Sequence, residues 1–131
     1  MYMHINYFLG LEVTLYPEGV VRISEHETVN LTCEVKYEAG AEDVETYFIL
    51  NGTVTPTSNH DANNSIAIEY NGHCFTEVTA QMCDTFTATI RGEISLNGSV
   101  ISCYSVDLRE YYAVTRSSEN TIILVVLGKH F

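Results

Sequence analysis

Short apolar runs with alternating side chains dominate the sequence, and helical periodicity is scarce. The clearest alternation, in VNLTCEV, places four apolar residues on one side: Val29, Leu31, Cys33 and Val35. Alternation of this kind is typical of a strand with one buried face. The segment therefore predicts a half-buried strand that turns Asn30 toward solvent.

Turn signals divide the rest of the chain into further short strands. Asn-Gly pairs favour two-residue hairpin turns, because both residues tolerate a positive φ. They predict hairpins within TYFILNGTVT and SIAIEYNGHCFTEV, and Pro17-Glu18-Gly19 separates LEVTLYP from GVVRI. Further strands are predicted at TFTATI, SVISCYSV and NTIILVVL, so the chain holds about eight or nine strands with turns roughly every ten residues. This pattern predicts an all-β antiparallel sandwich or barrel.

Segment 36–46, KYEAGAEDVET, breaks the alternation. It is polar and has Gly40 near its middle. We expect an exposed loop here, with a short helix as the alternative.

Composition and charge narrow the class of protein. The 131 residues are 46% hydrophobic and 18% charged, which fits one folded domain with an ordinary core. The net charge of −11 repels phosphate backbones and anionic lipid, so we expect no nucleic acid partner. TIILVVL is too short to span a bilayer, so we expect no direct membrane insertion.

Two independent signals indicate an extracellular glycoprotein, either secreted or on the cell surface. Four cysteines without a C-x-x-C pair favour two disulfides over a metal site, although they allow three connectivities. Asn-x-Ser/Thr glycan acceptors occur at four positions: Asn30, Asn51, Asn63 and Asn97.

The chain ends carry weaker signals. MYMHINYFLG has no Lys or Arg and is a poor signal peptide, so we interpret the chain as part of an ectodomain or as a sequence with a misplaced start. Residues 1–10 form an extension or the start of the first strand, 11–127 the domain, and 128–131 a tail.

VNLTC and VISC carry widely separated cysteines, with YFILNG between them. This arrangement resembles the immunoglobulin superfamily, whose two-sheet sandwich is pinned by a disulfide between strands B and F. The wide spacing is more like the variable-type set, and the resemblance covers residues 11–127. It implies a Cys33–Cys103 bridge, with Cys74–Cys83 as a second bridge outside the family's core pattern.

Several positions depart from the family. The strand C tryptophan is absent, and Phe48 stands in its place, although a one-residue shift would make Ile49 the core residue instead. Ile101 replaces the tyrosine that precedes the second cysteine. In members of this family, the chain crosses from one sheet to the other at the position of Asn97-Gly98. The alternative is that this pair closes a simple hairpin.

No catalytic constellation is present, so we expect no enzyme and no cofactor. The five histidines are scattered, and neither G-x-S-x-G nor H-E-x-x-H occurs. NHDANNS offers oxygen ligands but lacks EF-hand spacing, so we expect no metal.

Recognition is the better hypothesis for function. The stretch after strand F contains Arg109, Tyr111 and Tyr112, residue types that anchor protein interfaces. The resemblance implies that this F–G loop lies at the ligand-facing end, with Tyr47 and Ile49 pointing outward from strand C.

We therefore predict non-catalytic adhesion or receptor–ligand binding through the F–G loop and the C–C′ face. The partner is a protein ligand or a second copy of the chain. The alternative is a structural spacer domain with no ligand of its own, because glycans at Asn51 and Asn63 would crowd part of this face.

Overall fold

A computed structural model describes residues 10–41, 43–56, 66–77 and 79–128. These ranges contain ten strands and one 3₁₀ helix, at Ile94–Leu96. The strands are β1 (Leu11–Tyr16), β2 (Gly19–Ser24), β3 (Thr28–Glu38), β4 (Val44–Leu50), β5 (Thr53–Pro56), β6 (Ile66–His73), β7 (Gln81–Arg91), β8 (Ser99–Leu108), β9 (Ala113–Ser117) and β10 (Ile122–Leu127).

The strands form two sheets. One has the order β1-β3-β7-β6; the other has the order β2-β10-β8-β4-β5, with β9 also paired to β8. This is the strand order of an immunoglobulin-like sandwich, in which β3 is strand B, β4 strand C and β8 strand F. β5 adds the edge strand C′ beside strand C, as in variable-type domains. The predicted fold is confirmed.

The Cys33–Cys103 disulfide joins the two sheets, as the resemblance implies. Phe48 lies directly opposite Cys103 across β4 and β8 and is only 3% exposed. It belongs to the same core cluster as both cysteines. Phe48, rather than Ile49, is therefore the core residue of strand C.

Two Asn-Gly pairs with similar flanking sequences adopt different structures. At 51–52 the pair closes the predicted β4–β5 hairpin, with φ of 51° at Asn51 and 83° at Gly52. The predicted turn at 71–72 is wrong, because β6 continues through His73. The pairing of β6 with β7 shifts register between Tyr70 and Gly72, as in a β-bulge. A bulge accommodates glycine at positive φ, just as a hairpin turn does.

The third pair, at 97–98, follows the 3₁₀ helix on the connection between β7 and β8. Because those strands belong to different sheets, the chain crosses between sheets here, and the hairpin alternative is wrong. Asn97 remains exposed while Ile101 and Cys103 are buried. At this end of the sandwich, the chain thus passes from the surface into the core within a few residues.

The loop predicted at 36–46 is shorter than expected. β3 continues to Glu38 and β4 begins at Val44, and the described residues between them contain no helix. Polar residues on the outward face of a strand explain the overestimate, because composition alone does not separate them from a loop.

The predicted final strand, NTIILVVL, corresponds to β10. β9 lies in the stretch after strand F that was predicted as a loop, and it raises the strand count above the predicted one; a break at 118–121 separates it from β10. At the break, the Ser118 backbone N–H donates to the Cys103 carbonyl at 2.7 Å, and the Ser118 hydroxyl accepts from the Cys103 N–H at 3.1 Å. The break therefore stays bonded to the strand that carries the core disulfide.

Candidate binding surface

Three loops lie at the same end of the sandwich: 39–43, 74–80 and 109–112, of which the structure describes all residues except 42 and 78. We call them together the loop end. The Ala39 N–H donates to the Ala80 carbonyl at 2.8 Å, and the Leu108 N–H donates to the Asp43 carbonyl at 2.8 Å. Loop 39–43 is therefore hydrogen-bonded to loop 74–80 and to the end of β8, where the F–G loop begins.

The F–G loop, 109–112, closes the hairpin of β8 and β9. The Arg109 N–H donates to the Tyr112 carbonyl at 2.8 Å, just beyond the Leu108–Ala113 pair. This turn leaves Tyr111 88% exposed and Tyr112 63% exposed. Both predicted tyrosines are thus presented to solvent on a short hydrogen-bonded hairpin.

Arg109 has a structural contact that the sequence analysis missed. Its Nε and Nη2 donate to Oδ2 of Asp107 at 2.9 and 2.6 Å, and Nη2 lies 3.7 Å from Glu38. The hydrogen bond to Asp107 helps to raise the pKa of Arg109. Asp107 is fully buried, and its Oδ1 has no hydrogen-bond partner among the described residues. Arg109 thus neutralises a buried carboxylate, and its contact with a ligand stays a prediction.

The C–C′ face is the outward side of the sheet that contains β4, β5 and β8. Tyr47 and Ile49 lie on it and are half-buried. Tyr47 stands opposite Tyr104, and its hydroxyl donates to Glu45. That hydrogen bond, burial and the negative charges of Glu45 and Asp43 raise the pKa of Tyr47.

The outward side of this sheet also carries exposed apolar residues, namely Val20, Val54, Val100, Leu108, Ile123 and Leu127. Exposed apolar residues on one face of a sheet are a feature of many contact sites. Tyr104, the partner of Tyr47, lies four residues before Leu108, or about 13 Å along the strand. The predicted residues therefore share one sheet, but they form two separate groups.

The loop at 74–80 is a candidate that sequence analysis missed. The Cys74–Cys83 disulfide closes it, and Phe75 is 80% exposed. Phe75 borders a shallow cavity of about 260 Å³, together with Lys36, Thr76, Glu77 and Gln81. The signal in the sequence was a phenylalanine directly after the first cysteine of a short closed loop.

Asp84 anchors the strands below this loop. Its carboxylate accepts from Tyr37 Oη at 2.7 Å and from Tyr70 Oη at 3.1 Å, and it lies 2.8 Å from His73 Nδ1. Burial, followed by the hydrogen bond to Asp84, raises the pKa of Tyr37 well above its usual range. The base of the loop is thus held by a buried tyrosine as well as by the disulfide.

The described glycan acceptors lie away from the loop end. Asn51 and Asn97 are exposed at the opposite end, where Asn51 Oδ1 accepts from the Val100 N–H and Asn97 Oδ1 from the Val126 N–H. Asn30 points outward from β3, about 27 Å along the strand from Glu38. Asn63 lies outside the described residues.

One group of possible metal ligands occurs in the described part of the chain: Glu34, Cys74 and Cys83. Its two sulfur atoms are joined in a disulfide and offer no thiolate. The weak calcium candidate NHDANNS lies outside the described residues. None of the helices described is long and apolar enough to cross a membrane.

The fold is immunoglobulin-like. Neither a family model nor a curated protein matches the chain. One similar solved structure is the fourth constant immunoglobulin domain of nurse shark IgNAR, with 16% identity, TM-score 0.48, and coverage of 82% of this chain and 90% of that one. Another is AggA, the major subunit of aggregative adherence fimbriae type I from Escherichia coli, with 11% identity, TM-score 0.42, and coverage of 95% and 99%. The fold assignment rests on the strand order and on the Cys33–Cys103 bridge.

Proposed function

We propose that this domain is an extracellular, non-catalytic recognition module that binds a protein partner through the F–G loop and the C–C′ face. The observation that carries the proposal is the exposure of Tyr111 and Tyr112 on the F–G hairpin. Tyrosines contribute large contact area together with a hydroxyl that hydrogen-bonds, so they anchor interfaces.

The hairpin is prepared for binding because its base is fixed. The Arg109–Asp107 ion pair and the Leu108–Asp43 hydrogen bond hold it against the sandwich. A loop ordered before binding loses less conformational entropy when a partner docks. Binding residues are often carried by loops that a rigid scaffold holds in position.

Two features support an extracellular location. Both pairs of cysteines are oxidised, and disulfides persist in oxidising compartments. The three described glycan acceptors are exposed and lie away from the loop end. Glycans at these positions would leave the F–G loop open for recognition, whereas a glycan at Asn51 would crowd the C–C′ turn.

The test is a binding screen against an array of purified ectodomains. The wild-type domain, tetramerised to raise avidity, is compared with the double variant Tyr111→Ala/Tyr112→Ala. Ile94→Ala is the matched control, because it removes an exposed apolar side chain from the 3₁₀ helix at the other end of the sandwich, outside the C–C′ face. Binding to a defined ectodomain that only the tyrosine variant loses supports the proposal. Binding that both variants retain contradicts the assigned surface, and absence of any binding favours the spacer.

A further inference from the structure

We infer that the partner presents lysine and arginine side chains to the loop end, and that the disulfide-closed loop 74–80 contacts it through Phe75. This inference rests on the proposed recognition function and adds the chemistry of the partner and a third contact loop to it. The whole surface consists of three aromatic and three acidic residues: Phe75, Tyr111, Tyr112, Asp43, Glu77 and Glu110.

The aromatic residues are unusually exposed. Tyr111, Phe75 and Tyr112 are the three most exposed large apolar residues in the described part of the chain. They come from two different loops that lie at the same end of the sandwich. Three exposed rings thus lie at the same end of the domain, and exposed apolar residues grouped on one part of a surface are typical of contact sites.

The charges around these rings are negative. Asp43, Glu77 and Glu110 are all exposed. In the loops and adjoining strand ends that the structure describes, the lysine and arginine residues are Lys36 and Arg109. Lys36 lies 3.8 Å from Glu34, and Arg109 is paired with Asp107 and Glu38. Among the described residues, Asp43, Glu77 and Glu110 therefore have no ion pair with a lysine or arginine, although Lys36 lines the same cavity as Glu77.

Exposed rings beside carboxylates suit a cationic side chain. A guanidinium or ammonium group gains from the face of an aromatic ring and from charge-assisted hydrogen bonds to carboxylates. Complementary charge also speeds the encounter of the two proteins. Arginine fits this surface best because it is planar, stacks on rings and binds carboxylates in a bidentate manner.

The loop 74–80 is held in place for such a contact. Besides the disulfide, the Cys74 N–H donates to the Cys83 carbonyl at 2.8 Å. The loop therefore presents Phe75 from a closed ring that is fixed at its base.

A second copy of the chain fits this end poorly. Each copy carries a net charge of −11. Two loop ends facing one another would oppose carboxylate to carboxylate, and like-charge contacts across an interface are unfavourable. Charge complementarity instead selects a basic partner.

The experiment is an NMR titration of the ¹⁵N-labelled domain. The probe is a soluble peptide that alternates arginine, glycine and leucine, and the control peptide replaces arginine with glutamate. We expect shift changes with the arginine peptide at 38–43, 74–81 and 108–113, weakened by added salt. Equal changes with both peptides, or changes spread over carboxylates all round the domain, would overturn the inference.

Matched variants locate the contact. Glu77→Lys and Phe75→Ala should each weaken binding of the arginine peptide by about fivefold or more. Glu18→Lys carries the same charge change in the exposed turn between β1 and β2, and Leu127→Ala removes an exposed apolar residue at the opposite end. Equal weakening by a control and its matched variant would contradict the assignment of the surface.

The ectodomain array separates this inference from the proposed function. If Tyr111→Ala/Tyr112→Ala abolishes binding to an ectodomain while Glu77→Lys and Phe75→Ala leave it unchanged, recognition stands and the basic partner is wrong. If the wild-type domain binds no ectodomain, the proposed function itself fails.

Discussion

The two disulfides serve different parts of the molecule. Cys33–Cys103 joins residues 70 positions apart in the chain and connects the two sheets through the core. Cys74–Cys83 joins residues 9 positions apart and closes a loop beside β7, with Cys74 only half-buried. The first bridge fixes the fold, whereas the second fixes the shape of one exposed loop.

The chain-entropy model gives the difference a magnitude. Closing the long loop is worth about 4 kcal/mol and closing the short one about 2.6 kcal/mol. The long bridge also contributes packing, since both of its cysteines are fully buried. The comparison indicates that stability and binding can be disturbed separately in this domain.

The largest expected effect is the loss of the core bridge. Cys33→Ala/Cys103→Ala should lower the free energy of unfolding by about 4 kcal/mol or more. Urea denaturation measured by circular dichroism checks this value. A loss below that of the loop bridge would contradict the division of roles.

Removal of the Cys74–Cys83 bridge should lower the free energy of unfolding less than removal of the core bridge, but it should affect binding more. For Cys74→Ala/Cys83→Ala we expect a loss of about 2–3 kcal/mol, with faster amide hydrogen exchange confined to the loop and its base. Binding of the arginine peptide should weaken in parallel. Unchanged exchange in 74–81 would show that the Asp84 contacts hold the loop without the disulfide.

Two neighbours in the F–G region should behave differently. Arg109→Ala leaves the buried carboxylate of Asp107 without its cationic partner, so we expect a lower melting temperature. Tyr111→Ala removes an exposed side chain and should change stability by less than about 0.5 kcal/mol. Differential scanning calorimetry of both variants provides the measurement. Equal melting temperatures would mean that the ion pair does not support the hairpin.

The smallest effect concerns alkaline pH. Burial and Asp84 raise the pKa of Tyr37 in the folded state above its ordinary value of 10.0. The resulting stabilisation is complete below pH about 10 and is lost as pH rises above it, because the unfolded chain ionises first. Tyr37→Phe removes this term, so its unfolding free energy should fall less steeply with pH. Urea titrations at neutral and alkaline pH test it, and identical slopes would contradict it.

Local signals in the sequence were sufficient for most strands, but not for the core disulfide. Alternation identified β3, β7 and β8, and the family resemblance paired Cys33 with Cys103. Such signals succeed because a half-buried strand must alternate at every position. The turn predicted at the Asn-Gly pair 71–72 was wrong because a hairpin turn and a β-bulge can both place glycine at a positive φ.

The candidate site was harder to predict from the sequence than the strands were. The sequence indicated Tyr111 and Tyr112 but not Phe75, because the proximity of two loops depends on strands far apart in the chain. The structural contact of Arg109 was hidden for another reason. Asp107 is only two residues away, and nothing in the sequence shows that its side chain is fully buried.

The sequence by itself determined the all-β class and the acidic character, because these follow from local alternation and from composition, whereas the structure decided that Phe48 rather than Ile49 enters the core. Only the tertiary structure decided which loops meet at one end, which carboxylate needs a cation and which Asn-Gly pair turns the chain. These depend on how two sheets pack over one core, and packing joins residues that no local pattern relates.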